Sequence, residues 1–340
     1  MTTVPPPRRV APTLEAVAAE AGVSRSTVSR VVNGSNQVSP EVEAAVQAAI
    51  ERLHYIPNRA ARSLANNQTM AIALVIPEDT TRFFGDPYFA AIVQGITRGL
   101  DESDYVLTLQ VAPSQPSEKT MRYLAGGNVD GAFVVSHHSG DLFPASLASS
   151  MPVVYGGRPL RADDPPAFYV DVDNVAAAER GTRYLIDKGH SRIAMIAGPP
   201  DMPAGLDRAT GWTRAMTAAA LSAERIAYGD FSVASGARAM REILDRYPDL
   251  DAVFVASDLM ATGAVSVLLE RGLGIPGDIA VLGFDDSPAA TSGAIQLTTV
   301  HQPSEEMGAR MARMMLDLLR GEPVERRCIM ETHIVERDSA

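Results

Sequence analysis

The sequence predicts two unlike parts: an all-α helix-turn-helix headpiece with a hinge helix, joined to a bilobal α/β domain of two parallel-sheet lobes. Three features predict it. Two apolar-striped helical segments flank Ala21-Gly-Val-Ser-Arg25, a polar link covers residues 65–69, and beyond residue 70 apolar strand runs alternate with amphipathic helices.

The headpiece follows from spacing. Leu14, Val17, Ala18 and Ala21 recur at helical intervals after a capping Thr13, and Gly22 breaks that helix. Val23 can pin the turn, Ser24 can cap a second helix, and Val28, Val31 and Val32 share its inner side. Arg25, Ser26, Ser29 and Arg30 then point outward, with Thr27 beside them. Short hydroxyls and two guanidiniums suit phosphate oxygens and major-groove base edges, where an arginine spanning guanine O6 and N7 supplies about 1–3 kcal/mol of discrimination. The same spacing also allows a plain helical bundle with solvated arginines. Ser39-Pro40-Glu41 opens a third helix running to about Leu53, with Ala45, Val46, Ala49, Ile50 and Leu53 as its buried stripe. Tyr55-Ile-Pro-Asn58 and Arg59–Leu64 follow, the latter too brief for a stable isolated helix. Small residues and arginines around Leu64 suit an apolar wedge in a minor groove, with Arg59 and Arg62 on phosphates; an ordinary linker is the alternative.

Composition sets bounds. A chain of 340 residues with 46% apolar content exceeds what one core usually spans. The net charge of -11 is segregated: residues 1–69 hold seven arginines, no lysine and five acids, so the remainder is strongly acidic and any nucleic-acid footprint is local. Cys328 stands alone, which excludes an internal disulfide and a zinc cluster; no metal is expected. The absence of a signal-peptide core or membrane-length apolar run predicts a cytoplasmic protein.

In the body, strands are expected at Met70–Ile76, Tyr105–Gln110, Gly131–Val135, Phe168–Val172, Ile193–Ala197, Ala252–Ala256 and Ala280–Phe284. Helices are expected at Tyr88–Leu100, Glu118–Ala125, Asn174–Lys188, Gly205–Ala220, Val233–Arg246 and Ala261–Arg271. Two such series make two lobes, and ligands of open α/β sheets sit beyond the carboxyl ends of strands. Pro77-Glu-Asp-Thr80 replaces a glycine-rich phosphate fingerprint, so no nucleotide cofactor is expected. Several strand-end residues suit a shared cleft. Asp258 and Asp285 are caps or hydroxyl acceptors, Arg208 is a solvated arginine or a fork for paired hydroxyls, and Phe84, Tyr88, Phe89 and Trp212 are core or platforms for sugar rings. His137 and His138 line the cleft or a solvated loop; nothing beside them specifies an activated nucleophile, so no enzyme is expected.

The stretch Thr13–Leu64, with Ala-Gly-Val-Ser, Thr-Val-Ser-Arg-Val-Val-Asn, Val-Ser-Pro-Glu, Tyr-Ile-Pro-Asn and Ala-Arg-Ser-Leu, resembles the headpiece and hinge of the lactose-repressor/galactose-repressor family of bacterial regulators. The resemblance continues through Asp86-Pro-Tyr-Phe89, Gly189-His-Ser-Arg192, Asp207–Trp212, Ser257–Gly263, Gly283-Phe-Asp-Asp286 and Leu297–Pro303. Asp86 stands where the family often has asparagine, after a longer Thr80–Gly85 segment. The family resemblance implies that Arg25 and Ser26 choose bases with Arg30 behind them, and that Ser24, Thr27, Ser29 and Asn33 anchor the backbone. It implies too that Asn58 opens the hinge and Leu64 wedges into the operator centre. It makes Arg208 and Asp258 the principal effector ligands, with Asp285 behind them, an aromatic against the ring, and Gln302 close to the cleft.

The expected division is a headpiece at 1–57, a hinge and linker at 58–69 and a periplasmic-binding-protein-like effector and dimerisation domain at 70–340. Its first lobe takes about 70–167 plus 301–327 and its second about 168–300 plus 328–340. The lack of terminal apolar heptads favours a homodimer on a palindromic operator. The expected function is repression of carbohydrate-utilisation genes relieved by a sugar. Thr13-Leu-Glu-Ala-Val-Ala-Ala-Glu20 and the arginine-rich headpiece resemble actinobacterial repressors of cellulose use, which makes cellobiose the preferred effector; maltose, a galactoside or a purine-type corepressor are the alternatives.

Overall fold

The computed structural model describes residues 12–32, 37–55, 68–112, 116–160 and 167–340. The chain divides into two compact units, Met1–Thr69 and Met70–Ala340. Asn33, Asn58, Arg59, Arg62 and Leu64, which the sequence assigns to DNA, lie outside the described residues.

The first unit contains α1 (Leu14–Ala21), α2 (Arg25–Val32) and α3 (Pro40–Leu53). Thr13 caps α1 by accepting from the Ala16 amide, and Gly22 at φ 66° ends it in the left-handed region. Ser39 sits at the cap position of α3 but makes no side-chain capping bond. Val17, Ala18, Val28, Val46, Ala49 and Tyr55 form the core. Ala45, expected in the buried stripe, is exposed; Val42, one turn before Val46, packs inward instead.

The second unit begins with β1 (Ala71–Ile76), α4 (Thr80–Gly85), α5 (Pro87–Leu100), β2 (Val106–Val111), α6 (Glu118–Tyr123), β3 (Gly131–Val135), α7 (Phe143–Ala148), β4 (Val153–Gly156) and β5 (Phe168–Val172). It continues through α8 (Asn174–Asp187), β6 (Ile193–Ala197), α9 (Pro203–Ala218), β7 (Ile226–Tyr228), α10 (Val233–Arg246), β8 (Ala252–Val255), α11 (Asp258–Glu270) and β9 (Ala280–Asp285). The last elements are α12 (Ala289–Ser292), β10 (Thr298–His301), α13 (Ser304–Arg320), β11 (Arg327–Met330) and β12 (His333–Val335).

These strands form two sheets, ordered β11-β5-β4-β3-β1-β2 and β12-β10-β9-β8-β6-β7. All pairings are parallel except β10 with β12. Two expected lobe boundaries therefore move. Phe168–Val172 and Arg327–Met330 belong to the first sheet, where Val154 pairs Phe168 and Cys328 pairs Val170. An apolar run identifies a strand but not its neighbour, because sheet membership is fixed by tertiary pairing. The chain consequently changes lobes three times: between β5 and α8, between β10 and α13, and between β11 and β12. Thr80–Gly85, the longer segment before Asp86, is a short helix capped by Asp79, which accepts from the Arg82 amide at 2.9 Å.

Candidate functional site

In the first unit, Ser24 accepts from the Thr27 amide at 3.1 Å and bonds the Ser26 and Thr27 hydroxyls at 2.8 Å, which fixes the start of α2. Val28 is fully buried below, so Ser24, Arg25, Ser26 and Arg30 are presented outward, with Thr27 and Ser29 half-buried. Arg25 pairs with Glu15 at 3.0 Å, both side chains being largely exposed. Such a surface pair is worth at most about 1 kcal/mol, so a phosphate or base edge can replace it readily.

In the second unit, strand ends of both sheets converge on one cleft. Its wall includes Asp86, Tyr88, Phe89, His137, Arg208, Asp285 and Gln302, all expected from the sequence. Arg208 is its centre. The buried guanidinium donates from Nε to Asn174 Oδ1 (2.9 Å), from Nη1 to the Ala256 carbonyl (2.6 Å) and Asp285 Oδ1 (3.3 Å), and from Nη2 to Gln302 Oε1 (2.9 Å). It also lies 3.5 Å from the Phe284 ring centroid. One Nη2 proton is left without an acceptor among the described residues, so the fork is rigid and still able to donate. Asp285 is held in the left-handed region at φ 113°, and Asp286 follows at φ 57°. Arg337 (2.6 Å) and His301 (3.0 Å) clamp the Asp286 carboxylate and so support that corner. Burial pushes the Asp285 carboxyl well up against the pull of Arg208, and burial lifts Asp171 to about 6.

Three expected residues lie elsewhere. Phe84 is 79% exposed, because consecutive positions of the short α4 cannot both face inward and Phe83 takes the inner one. Trp212 is fully buried in the second-lobe core; it follows Arg208 by one helical turn and meets the sheet below the cleft wall. Asp258 is completely buried and outside the cleft wall, where its neighbour Ser257 stands instead. The Asp258 carboxylate accepts from Thr299 Oγ1 (2.7 Å) and the Ser287 amide (2.8 Å), tying α11, β10 and the turn after β9 together. Gly283 makes room for it: a Cβ there would lie 2.3 Å from Asp258 Oδ1.

The structure adds cleft residues that the sequence reading passed over, among them Arg82, Asp171, Asn174 and Phe231. Asp171 carried a usable signal, since it is the last residue but one of a strand, close to the carboxyl end that Asp285 occupies in its own. Arg82 and Phe231 carried none.

Two ion-pair systems join the lobes across the cleft. Arg158, after β4, grips Asp207 of α9 with two hydrogen bonds of 2.6 Å, Nε to Oδ2 and Nη2 to Oδ1. His138 places Nε2 3.3 Å from Glu78 and Nδ1 2.9 Å from Asp201. Glu78 also accepts from Ser136 (2.6 Å) and pairs with Arg82 (3.2 Å). The hydrogen bond to Glu78 and the one to Asp201 raise His138 to about 9 despite burial, so the latch is cationic at neutral pH. The cavity between the lobes is about 80 Å³. Small-molecule sites usually measure about 300 Å³ or more, so a disaccharide needs more room than the cleft offers in this arrangement.

Two profiles match the sequence: the lacI family of bacterial regulatory proteins at residues 13–58, and a periplasmic binding protein-like domain at 182–340. The HTH-type transcriptional regulator CelR of Thermobifida fusca is 47% identical over 337 residues, covering 98% of this chain and 99% of that one. The chain belongs to the lacI family. Among solved structures, a transcriptional regulator CelR–cellobiose complex is 44% identical, with 97% of this chain and 100% of that chain covered and a TM-score of 0.75. A lac repressor dimer bound to operator and the anti-inducer ONPF is 26% identical, with 96% and 98% covered and a TM-score of 0.84. Among the described residues, no helix is long and apolar enough to cross a membrane.

Proposed function

We propose that this lacI-family protein is an operator-binding repressor of carbohydrate-utilisation genes, released by cellobiose or a related cello-oligosaccharide. The observation that carries the reading is the 47% identity to the regulator CelR across both units, together with the likeness to a CelR–cellobiose complex. The cleft chemistry is consistent with it, since a rigid buried arginine, several carboxylates and aromatic side chains suit the hydroxyls and C–H faces of a sugar. In this reading Arg25 and Ser26 read base edges, and Ser24, Thr27, Ser29, Arg30 and Asn33 hold the backbone. Arg59, Arg62 and Leu64 serve the operator centre, after a hinge opened at Asn58. Tyr88, Phe89, Asp86, His137, Arg208, Asp285 and Gln302 contact the effector, while Asp258 supports the strand ends behind them. The protein acts as a homodimer on a palindromic site in the cytoplasm and carries out no catalysis.

Sugar and operator then oppose each other reciprocally, each weakening the other by the same factor. The test is operator release at fixed salt against cellobiose, cellotriose, maltose, lactose, glucose and a purine. Release by the cello-oligosaccharides alone is expected. A purine that tightens operator binding while no sugar acts would replace this reading with a corepressor one.

A further inference from the structure

Two buried polar atoms on residues that line the cleft are left without partners among the described residues: His137 Nδ1 and Arg82 Nε; His137 also borders a second cavity beside Tyr155 and Pro159. The two atoms are of opposite sense. The Arg82 Nε–H is a donor in every state of the side chain. For His137 the sense follows from its other nitrogen. Nε2 lies 3.1 Å from the Arg158 carbonyl, and a carbonyl oxygen only accepts, so the ring proton resides on Nε2. Nδ1 is therefore a bare lone pair, in a side chain only 6% exposed. Burial holds the imidazole down at about 4, which keeps it neutral and keeps that lone pair available.

The ring has little freedom to change this. Its edge packs on Tyr155 with centroids 5.5 Å apart, and the Arg158 amide is itself anchored on Asp171 Oδ2 at 2.7 Å. An acceptor fixed in this way and buried without a donor is costly to leave unmet. A hydroxyl meets such a wall well, because it donates and accepts through one oxygen.

Resting on the sugar reading above, we propose that His137 is a specificity-determining acceptor, its Nδ1 taking a hydrogen bond from one hydroxyl of the effector. A ligand presenting only acceptors at that point is rejected. The same geometry separates the roles of the two ring nitrogens. Glutamine at 137 offers an amide nitrogen for the Arg158 carbonyl and nothing at the Nδ1 position; asparagine offers an acceptor near Nδ1 and loses the bond to Arg158.

The experiment measures cellobiose binding by calorimetry to the full-length wild type, His137→Gln and His137→Asn, with the far-ultraviolet circular-dichroism spectrum as the folding control. Expected are about tenfold weaker cellobiose binding for His137→Gln, a loss of threefold or less for His137→Asn, and a wild-type spectrum for both. A set of monodeoxy cellobioses then identifies the hydroxyl: one of them binds wild type about tenfold more weakly but costs His137→Gln nothing further. Nitrogen-15 imidazole spectra of the free protein should show protonated Nε2 and bare Nδ1, with Nδ1 shifting when cellobiose is added. Equal cellobiose affinity in His137→Gln and wild type, or a ring protonated at Nδ1, overturns the proposal and leaves the sugar reading standing. A wild type that binds no cellobiose overturns the sugar reading, and the proposal falls with it.

Discussion

Removing the Arg158–Asp207 clasp should speed sugar entry. Substituting Asp207→Asn keeps the side-chain shape but discharges one end of a pair made by two 2.6 Å hydrogen bonds. Each charge-assisted bond of this kind is worth about 1.5–3 kcal/mol when protected from water. Arg158 is 35% exposed and Asp207 15%, so screening reduces the pair to about 1–2 kcal/mol in total. At about 1.4 kcal/mol per tenfold, the closed-to-open ratio shifts roughly 5–30-fold toward open. Because the closed cavity is only about 80 Å³, entry depends on the open fraction, and the cellobiose association rate should rise by that factor. Stopped-flow fluorescence of the single Trp212 is the assay. Salt near 1 M, where charges are screened within about 3 Å, should accelerate wild type and leave Asp207→Asn almost unchanged. An association rate within twofold of wild type would refute the reasoning, as would additive effects of Asp207→Asn and Arg158→Gln in the double variant.

Three further outcomes follow from the same geometry. The His138 latch faces Glu78, Asp201 and Arg82; its imidazole is raised from 6.5 to about 9, so its contribution is full below about pH 6.5 and is lost as pH rises through 9. Cellobiose association should therefore quicken between pH 7 and 9.5 in wild type and stay flat in His138→Gln; the opposite slope would exclude the latch. Gly283→Ala forces a Cβ onto Asp258 Oδ1 and should cost about 1–3 kcal/mol in urea unfolding of the body, with a change under 0.5 kcal/mol counting against the anchoring role of Asp258. Arg25→Ala should relax preference at one operator base pair by about 1–3 kcal/mol, whereas an equal loss on all sequences would make Arg25 a phosphate contact.

The headpiece was legible because its helices are short, local and set by caps and spacing. Thr13, Gly22 and Ser24 act where local chemistry places them, and Val17 and Val28 bury as the period requires. In the body, strand existence was legible and strand partnership was not: β5 and β11 read as ordinary apolar runs, and only pairing with β4 and with each other assigns them to the first sheet. The strand-end rule located Asp285, and the family resemblance Gln302, but the rule could not separate a carboxylate facing the cleft from one turned inward, which is why Asp258 proves to be an anchor. Trp212 and Phe84 show the same limit for aromatics, since orientation about a helix axis decides whether a ring meets core, cleft or solvent. The Arg158–Asp207 clasp joins positions 49 residues apart and has no local signature at all.

The placement of clasp residues next to cleft residues explains how binding and closure are coupled. Asp207 directly precedes Arg208 on α9, so a movement that breaks the clasp shifts the arginine that centres the cleft. On the other lobe, Arg158 bonds Asp171 through its amide and His137 through its carbonyl, so the same movement disturbs two further cleft side chains. Glu78 and Asp201 are likewise close in sequence to Arg82 and Met202, both in the cleft wall. No long relay is needed between a sugar hydroxyl and lobe angle: each lobe carries a contact for one and a clasp for the other within a few residues. A ligand that satisfies His137 and Arg208 but cannot tolerate the closed width must weaken Arg158–Asp207, and one that fits the closed width must strengthen it. Ligand size therefore bears on the lobe angle as much as its hydroxyls do. Cellobiose and a smaller glucoside should differ in lobe closure even where both bind.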